Sequence, residues 1–200
     1  MKRMTISRKK LAPLTGVVLA IAALWLYSNL WYSPAMRARI ATPDGKPLAG
    51  AIVVANWNIQ ASISGASLGQ LALAETVTDT DGWFHIPAWG PRWLWRGSVR
   101  VDEPTVRVFK PGFTPLVLHN TEEAPMHTAS LVIAFRLQDQ ALAMEPFTGS
   151  PAEYQTALAP LLASLSVLNN GGAPGICDWQ RTSRLLPALR LTRQACSRPR

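Results

Sequence analysis

The sequence predicts a mainly β protein: an antiparallel β-sandwich of about seven strands, preceded by one N-terminal transmembrane helix and followed by a short helical C-terminal region. Three observations carry this expectation. Residues 11–33 contain no charged side chain. Residues 36–140 hold short, alternating apolar runs separated by turn residues. From residue 150 onward the apolar spacing becomes helical.

The first segment, LAPLTGVVLAIAALWLYSNLWYS (11–33), would be roughly 34 Å long as a helix, enough to cross a hydrocarbon core of about 30 Å. Trp31 and Tyr32 fall at its far end, where amphipathic rings favour the interface. Residues 1–10 carry Lys2, Arg3, Arg8, Lys9 and Lys10 and no acid, so this end is expected in the cytoplasm and everything beyond residue 34 outside it. A cleavable signal peptide ending near Ser33-x-Ala35 is the rival reading; the length and tryptophan content of the run favour an uncleaved anchor. No cysteine follows the run closely, so a lipid-modified N-terminus is not expected. The expected location is the inner (cytoplasmic) membrane, single-pass, with the C-terminal domain periplasmic or extracellular.

A net charge of +8 raises the question of nucleic acid, which its distribution answers. The excess sits in residues 1–10 and in the six arginines of 150–200; residues 34–149 hold nine basic and ten acidic groups. A neutral middle offers no basic face, and nucleic acid is excluded as a partner.

Within 36–140, PDGKP (43–47) is a turn and AIVVANW (51–57) is β-branched and apolar. Residues 59–72, rich in Ser, Gly and Gln, read as a long loop or an irregular edge strand. ETVTD and WFHIP flank Asp81-Gly82, a pair that favours a hairpin because both residues tolerate positive φ. Phe84 and Ile86 should then face one side, Trp83 and His85 the other. Residues 88–98 read as a loop carrying Trp89, Trp93 and Trp95. TVRVFK (105–110), TPLVLH (114–119) and SLVIAFRL (130–137) complete the strands.

The order DGKPLAGAIVVA, ETVTDTDGWFHI, VRVFKPGFTPLVL resembles the carboxypeptidase regulatory-like domain, a transthyretin-like β-sandwich of exported bacterial proteins. The matching residues are Asp44, Gly45, Pro47, Leu48, Gly50, Ala51 and Val53, then Thr78, Asp79, Gly82, Phe84 and Ile86, then Lys110, Gly112 and Phe113. The resemblance spans roughly residues 37–137 and implies a fold and an accessory module without catalytic residues.

After residue 150, SPAE gives Ser150 as cap, Pro151 in the first turn and Glu153 to close a capping box. Tyr154, Leu158, Leu161, Leu162, Leu165 and Leu168 follow helical spacing, and Pro160 is expected to kink this helix or confine its regular part to one side. A second helical stretch starts near 177. Cys177 and Cys196 are the two cysteines, and in an oxidising compartment they are expected to form a disulfide closing a loop of 20 residues. Such a loop contributes about 3 kcal/mol.

The candidate sites are few. Asp79-Thr80-Asp81-Gly82 resembles the start of a calcium loop, but Gly90 stands where the bidentate carboxylate is needed, so a turn is the better reading. His85, His119 and His127 with Glu122 and Glu123 lack zinc spacing, and SISGAS lacks a nucleophile elbow. The sequence therefore predicts no metal, no cofactor and no enzyme. Trp89, Trp93 and Trp95 stand out as ligand-binding candidates, able to stack on sugars or fill a partner's pockets, or else to pack on the protein itself. The expected role is a binding or scaffold protein of the envelope, with an envelope protein as partner. The alternative is a glycan- or peptidoglycan-binding module built on the tryptophan loop.

Overall fold

The computed structural model describes residues 16–21, 24, 29–61, 64–100, 102–120, 135–166 and 183–189. The strands are β1 (Leu30–Ser33), β2 (Met36–Ala41), β3 (Ile52–Gln60), β4 (Ser67–Val77), β5 (Trp83–Ile86), β6 (Trp89–Trp93), β7 (Ser98–Val99), β8 (Thr105–Phe109), β9 (Leu116–Leu118) and β10 (Ala141–Ala143). Two helices follow, α1 (Pro151–Ser166) and α2 (Leu185–Ala188). The protein is mainly β, with antiparallel pairing throughout except between β10 and β2.

Strands β4-β3-β8-β9 form the largest sheet, with β7 also paired to β3; β10-β2-β5 form a second, and β1-β6 a two-stranded ribbon. Met36, Ala38, Ile40, Phe84 and Ile86 of the second sheet share one apolar cluster with Val53, Ala55, Trp57, Val106 and Val108 of the first. The opposite face of the large sheet is covered too: Val54, Leu73 and Phe109 meet Leu158 and Leu161 of α1 and Leu185 of α2. A strand covered on both sides loses the alternation of a half-exposed one, which is why IVVANWNIQ reads as almost continuously buried.

Several expectations hold locally. Thr42 and Lys46 close the 43–47 turn, with the Thr42 N–H donating to Lys46 O at 2.9 Å. Phe84 and Ile86 are buried while His85 is exposed and Trp83 half-buried. The capping box forms: the Glu153 N–H donates to Ser150 Oγ at 3.3 Å and the Ser150 N–H to Glu153 Oε2 at 2.6 Å. The helix it starts runs through Pro160.

Other expectations are corrected. Asp81-Gly82 does not close a hairpin, because β4 pairs only with β3 and β5 only with β2. It is a corner between two sheets. Asp79 Oδ1 accepts the N–H groups of Asp81 and Trp83 at 3.0 and 2.8 Å, so this carboxylate is committed to the turn. Of the two readings of residues 59–72, the irregular edge strand holds from Ser67 onward: β4 is the edge of its sheet and pairs with β3 through two register shifts. Residues 89–93 form β6 rather than a loop, and its partner β1 takes Leu30–Ser33 out of the expected 11–33 span. The SLVIAFRL strand lies outside the described residues up to 134, and 136–139 is a turn; β10 follows it, unforeseen. Among the described residues there are ten strands, of which β1 and β10 lie outside the span 36–140 for which about seven are expected. Among the described residues no helix is long and apolar enough to cross a membrane; residues 16–21 and 24 are helical and exposed.

Candidate functional site

The α1-facing side of β3 and β8 carries buried polar side chains, Asn56, Asn58, Thr105 and Arg107. Along TVRVF, Val106 and Val108 point to the shared cluster, so Thr105 and Arg107 point to the other face. Asn56 pairs with Thr105 in register, and Asn58 lies two residues further along β3 on the same face. Arg107 is 2% exposed and Glu103 1%, and both asparagines are buried.

These four side chains form a hydrogen-bonded chain. The Arg107 guanidinium donates to Asn56 Oδ1. Asn56 Nδ2 donates to Asn58 Oδ1 at 2.9 Å, and Asn58 Nδ2 donates to Glu103 Oε1 at 2.6 Å. Every amide therefore points the same way, from cation to carboxyl. Glu103 Oε2 accepts the Thr105 N–H at 2.7 Å, and Asn120 Nδ2 donates to Glu103 O at 2.9 Å. A buried charge is tolerated where its remaining hydrogen-bonding positions are filled, and two amides do that here without direct contact between the ions.

Burial pushes the Glu103 carboxyl above its ordinary value, against the pull of the Thr105 N–H and the Asn58 amide. Burial likewise lowers Arg107 to about 10, partly offset by the charge of Glu103. At the rim, Arg100 donates to both oxygens of Asp102 at 2.8 Å and holds that carboxyl below its usual range. His119 Nδ1 lies 3.4 Å from Thr105 Oγ1 and 3.9 Å from Asp102 Oδ2.

Asn58, Glu103, Thr105 and Arg107 with Arg100, Asp102 and His119 line a cleft of about 450 Å³, bordered also by Ser67 and Ala163, while Asn56 lies behind it. Its volume lies in the range of small-molecule sites. Chemically it offers amide, hydroxyl and guanidinium hydrogen bonds, and a carboxyl that keeps its proton to higher pH than an exposed glutamate. The sequence hinted at this in VANWN and DEPTVRVF, where polar and charged residues interrupt strand-like apolar runs. Sequence alone does not show that α1 covers the polar side of this alternation.

The structure splits the three candidate tryptophans. Trp89 packs its ring edge-on against the fully buried Trp57, centroids 5.2 Å apart, with the Arg92 guanidinium 5.2 Å from its own centroid. Trp93 lies 4.0 Å from Trp95, and Trp95 is 70% exposed. Trp89 packs against the core cluster, whereas Trp95 faces solvent. His85 sits apart from His119, beside Arg37, Gln138 and Asp139 at a shallow hollow of about 300 Å³. His127, Glu122, Glu123, Cys177 and Cys196 lie outside the described residues. Among the described residues no group of three or more His, Cys, Asp or Glu is placed to hold a metal ion.

No family model matches the chain, and no curated protein does. Similar solved structures include hydroxyquinol 1,2-dioxygenase from Pseudomonas putida DLL-E4, at 15% identity over 58% of this chain and 57% of that one, TM-score 0.34. Others are 3-chlorocatechol 1,2-dioxygenase from Rhodococcus opacus 1CP (18%, 44% and 42%, 0.30) and chlorocatechol 1,2-dioxygenase from Pseudomonas putida (15%, 59% and 61%, 0.32). The chain spans about three fifths or less of each. All three bear the names of enzymes, and that overturns the expectation that this chain is not one. At such TM-scores the likeness transfers no activity, residue role or cofactor.

Proposed function

We propose that this chain is a single-pass, membrane-anchored envelope protein whose β body binds a small polar molecule in the cleft between β3, β8 and α1. The observation that carries the reading is the one-directional chain Arg107–Asn56–Asn58–Glu103 beside that cleft. Well-packed apolar residues are often as stable as a buried charge pair or more so, so its presence here favours recognition over stability. Asn58, Glu103 and Arg107 then supply directional hydrogen bonds at the floor, and Arg100, Asp102 and His119 do so at the rim.

The two sheets that share one apolar cluster support reading the body as a transthyretin-like β-sandwich. Gly45, Gly82 and Gly112, three of the residues that carry the resemblance to the carboxypeptidase regulatory-like domain, each have φ near +80°, which supports that reading. The anchor reading rests on the uncharged run before β1. Once β1 has taken residues 30–33, the uncharged run left is residues 11–29, which would span roughly 28 Å if helical at 1.5 Å per residue.

Ser67 offers a direct test, because it is exposed at the start of β4 and lines the cleft. The full chain, in detergent or nanodiscs, is screened by thermal shift against small sugars, amino acids and short carboxylic acids. The expected result is a concentration-dependent rise in Tm that Ser67→Tyr abolishes while its own unliganded Tm stays near the parent's. If no compound raises the Tm, or if the rise is the same in Ser67→Tyr, the cleft is not the binding site.

A further inference from the structure

The β1–β6 ribbon has two faces of different character. Ser33 pairs with Trp89 and Trp31 with Arg92, and Trp31 and Trp89 pack on the core. Arg92 belongs to this inner side, its guanidinium lying over the Trp89 ring and donating to Leu71 O. The register shift between Trp31 and Ser33 sets Gly90 and Pro91 opposite Tyr32, which brings Trp89 and Arg92 to one side; Leu30 and Tyr32 point the other way, and Trp93, the partner of Leu30, goes with them. Trp95 stacks on Trp93 from beyond the strand end. The outer face is thus Leu30, Tyr32, Trp93 and Trp95, with Tyr32 39% and Trp95 70% exposed. The exposed Arg96 follows directly.

This face begins where the uncharged run ends. The Leu94 N–H donates to Asn29 O at 2.9 Å, which ties the residue before β1 to the end of β6. Leu30 to Tyr32 advance about 7 Å at strand rise. The headgroup layer on one side of a bilayer is about 5–7 Å thick. A chain leaving the hydrocarbon near Asn29 therefore places this face within the headgroup layer. Tryptophan and tyrosine favour that depth because their rings are apolar with one polar edge. A neighbouring arginine there meets lipid phosphate.

We infer that the outer face of the β1–β6 ribbon, Leu30, Tyr32, Trp93 and Trp95 with Arg96, lies in the headgroup layer of the membrane and fixes the tilt of the β body on its anchor. The inference rests on the anchor reading above. It gives the stacked pair Trp93–Trp95 a role distinct from that of Trp89, which packs inward. It also explains a two-stranded ribbon with a half-covered aromatic side: the bilayer is its missing layer.

The test uses the full chain reconstituted into phosphatidylcholine vesicles containing lipids brominated at shallow or deep acyl positions, with tryptophan emission as readout. Shallow bromines should quench a fraction of the emission that disappears in Trp95→Phe and is unchanged in Trp83→Phe, whereas deep bromines should distinguish neither variant. Trp25→Phe reports on the anchor independently. If Trp25→Phe removes deep quenching while Trp95→Phe changes nothing, the anchor stands and the interfacial face is refuted. If the chain neither floats with the vesicles nor shows any lipid quenching, both readings fail. Quenching of Trp95 by soluble glycan with none by lipid would also overturn the inference.

Discussion

Asn58 Nδ2 and Glu103 Oε1 lie 2.6 Å apart although 45 residues separate them in sequence, joining β3 to the segment that leads into β8. The contact sits where burial, rather than a neighbouring charge, governs the carboxyl. Burial raises the Glu103 value above the 4.5 of an exposed glutamate, so the folded protein holds this proton more tightly than the unfolded chain. The stabilising contribution is therefore complete below about pH 4.5 and is lost as pH rises through the raised folded value. Asp102, with its lowered value, acts in the opposite sense, so the informative quantity is the difference between parent and variant. Between about pH 4 and about pH 8, Glu103→Gln should lose less stability than the parent in urea unfolding. Identical slopes for the two proteins would remove Glu103 from the account.

The other end of the chain makes a second prediction. Arg107→Met leaves Asn56 Oδ1 without its guanidinium donor and removes the cation that faces Glu103 through two amides. Breaking one side of a buried charge system costs about 3–5 kcal/mol. Removing Asn56 as well, as Leu, takes away the orphaned acceptor. The double variant should be more stable than the sum of the single losses by at least about 1 kcal/mol. Strict additivity in the unfolding cycle would mean that the two side chains are not coupled.

Sequence patterning anticipated the β body because turn residues and alternation are local. Gly45, Asp79 and Ser150–Glu153 behave as their neighbours require. What it missed depends on partners far away in the chain. The corner at Asp81-Gly82 looks like a hairpin until the pairing of β4 with β3 and β5 with β2 is known. Arg107 looks like a surface residue until α1 covers its side of the sheet. Residues 89–93 hold Gly90 and Pro91, which argue against a strand, yet pairing with the end of an apolar run makes them one. The cleft was illegible for the same reason: its floor is assembled from β3, β8 and the segment before it.

Gly82 should be among the least replaceable residues of the body. Its φ is +79°, and a Cβ there would lie 2.3 Å from Ile40 O and 3.0 Å from Leu48 N. Those two atoms are themselves hydrogen-bonded, so neither can move without cost. Gly45 has a similar φ of +81° but open space around it, which separates the two causes. Gly45→Ala should cost about 1–2 kcal/mol from backbone conformation alone. Gly82→Ala should exceed that by about 1 kcal/mol or more, because the corner must also open. Equal losses in Tm would show that close approach adds nothing at the corner.

Glu75 ties the C-terminal region to the large sheet. It pairs with Val54 in register and therefore faces the side covered by α1 and α2. Its carboxylate accepts the Arg184 N–H at 3.0 Å and the Leu185 N–H at 2.8 Å, the latter from 110 residues away, with Ser183 Oγ at 3.4 Å. A four-residue helix has too few internal bonds to hold itself in place. This carboxylate holds it to the sheet together with Leu185, which is 1% exposed in a cluster with Val54, Leu73 and Phe109 against which Ala188 and Leu189 also pack. Glu75→Ala should leave two backbone donors without their acceptor and lower the free energy of local opening by about 1–2 kcal/mol. Trypsin should then cut after the exposed Arg184 roughly ten-fold faster than in the parent, while the replacement of neighbouring Thr76 by alanine leaves the rate unchanged. An unaltered cleavage rate in Glu75→Ala would mean that apolar packing alone holds α2 on the sheet.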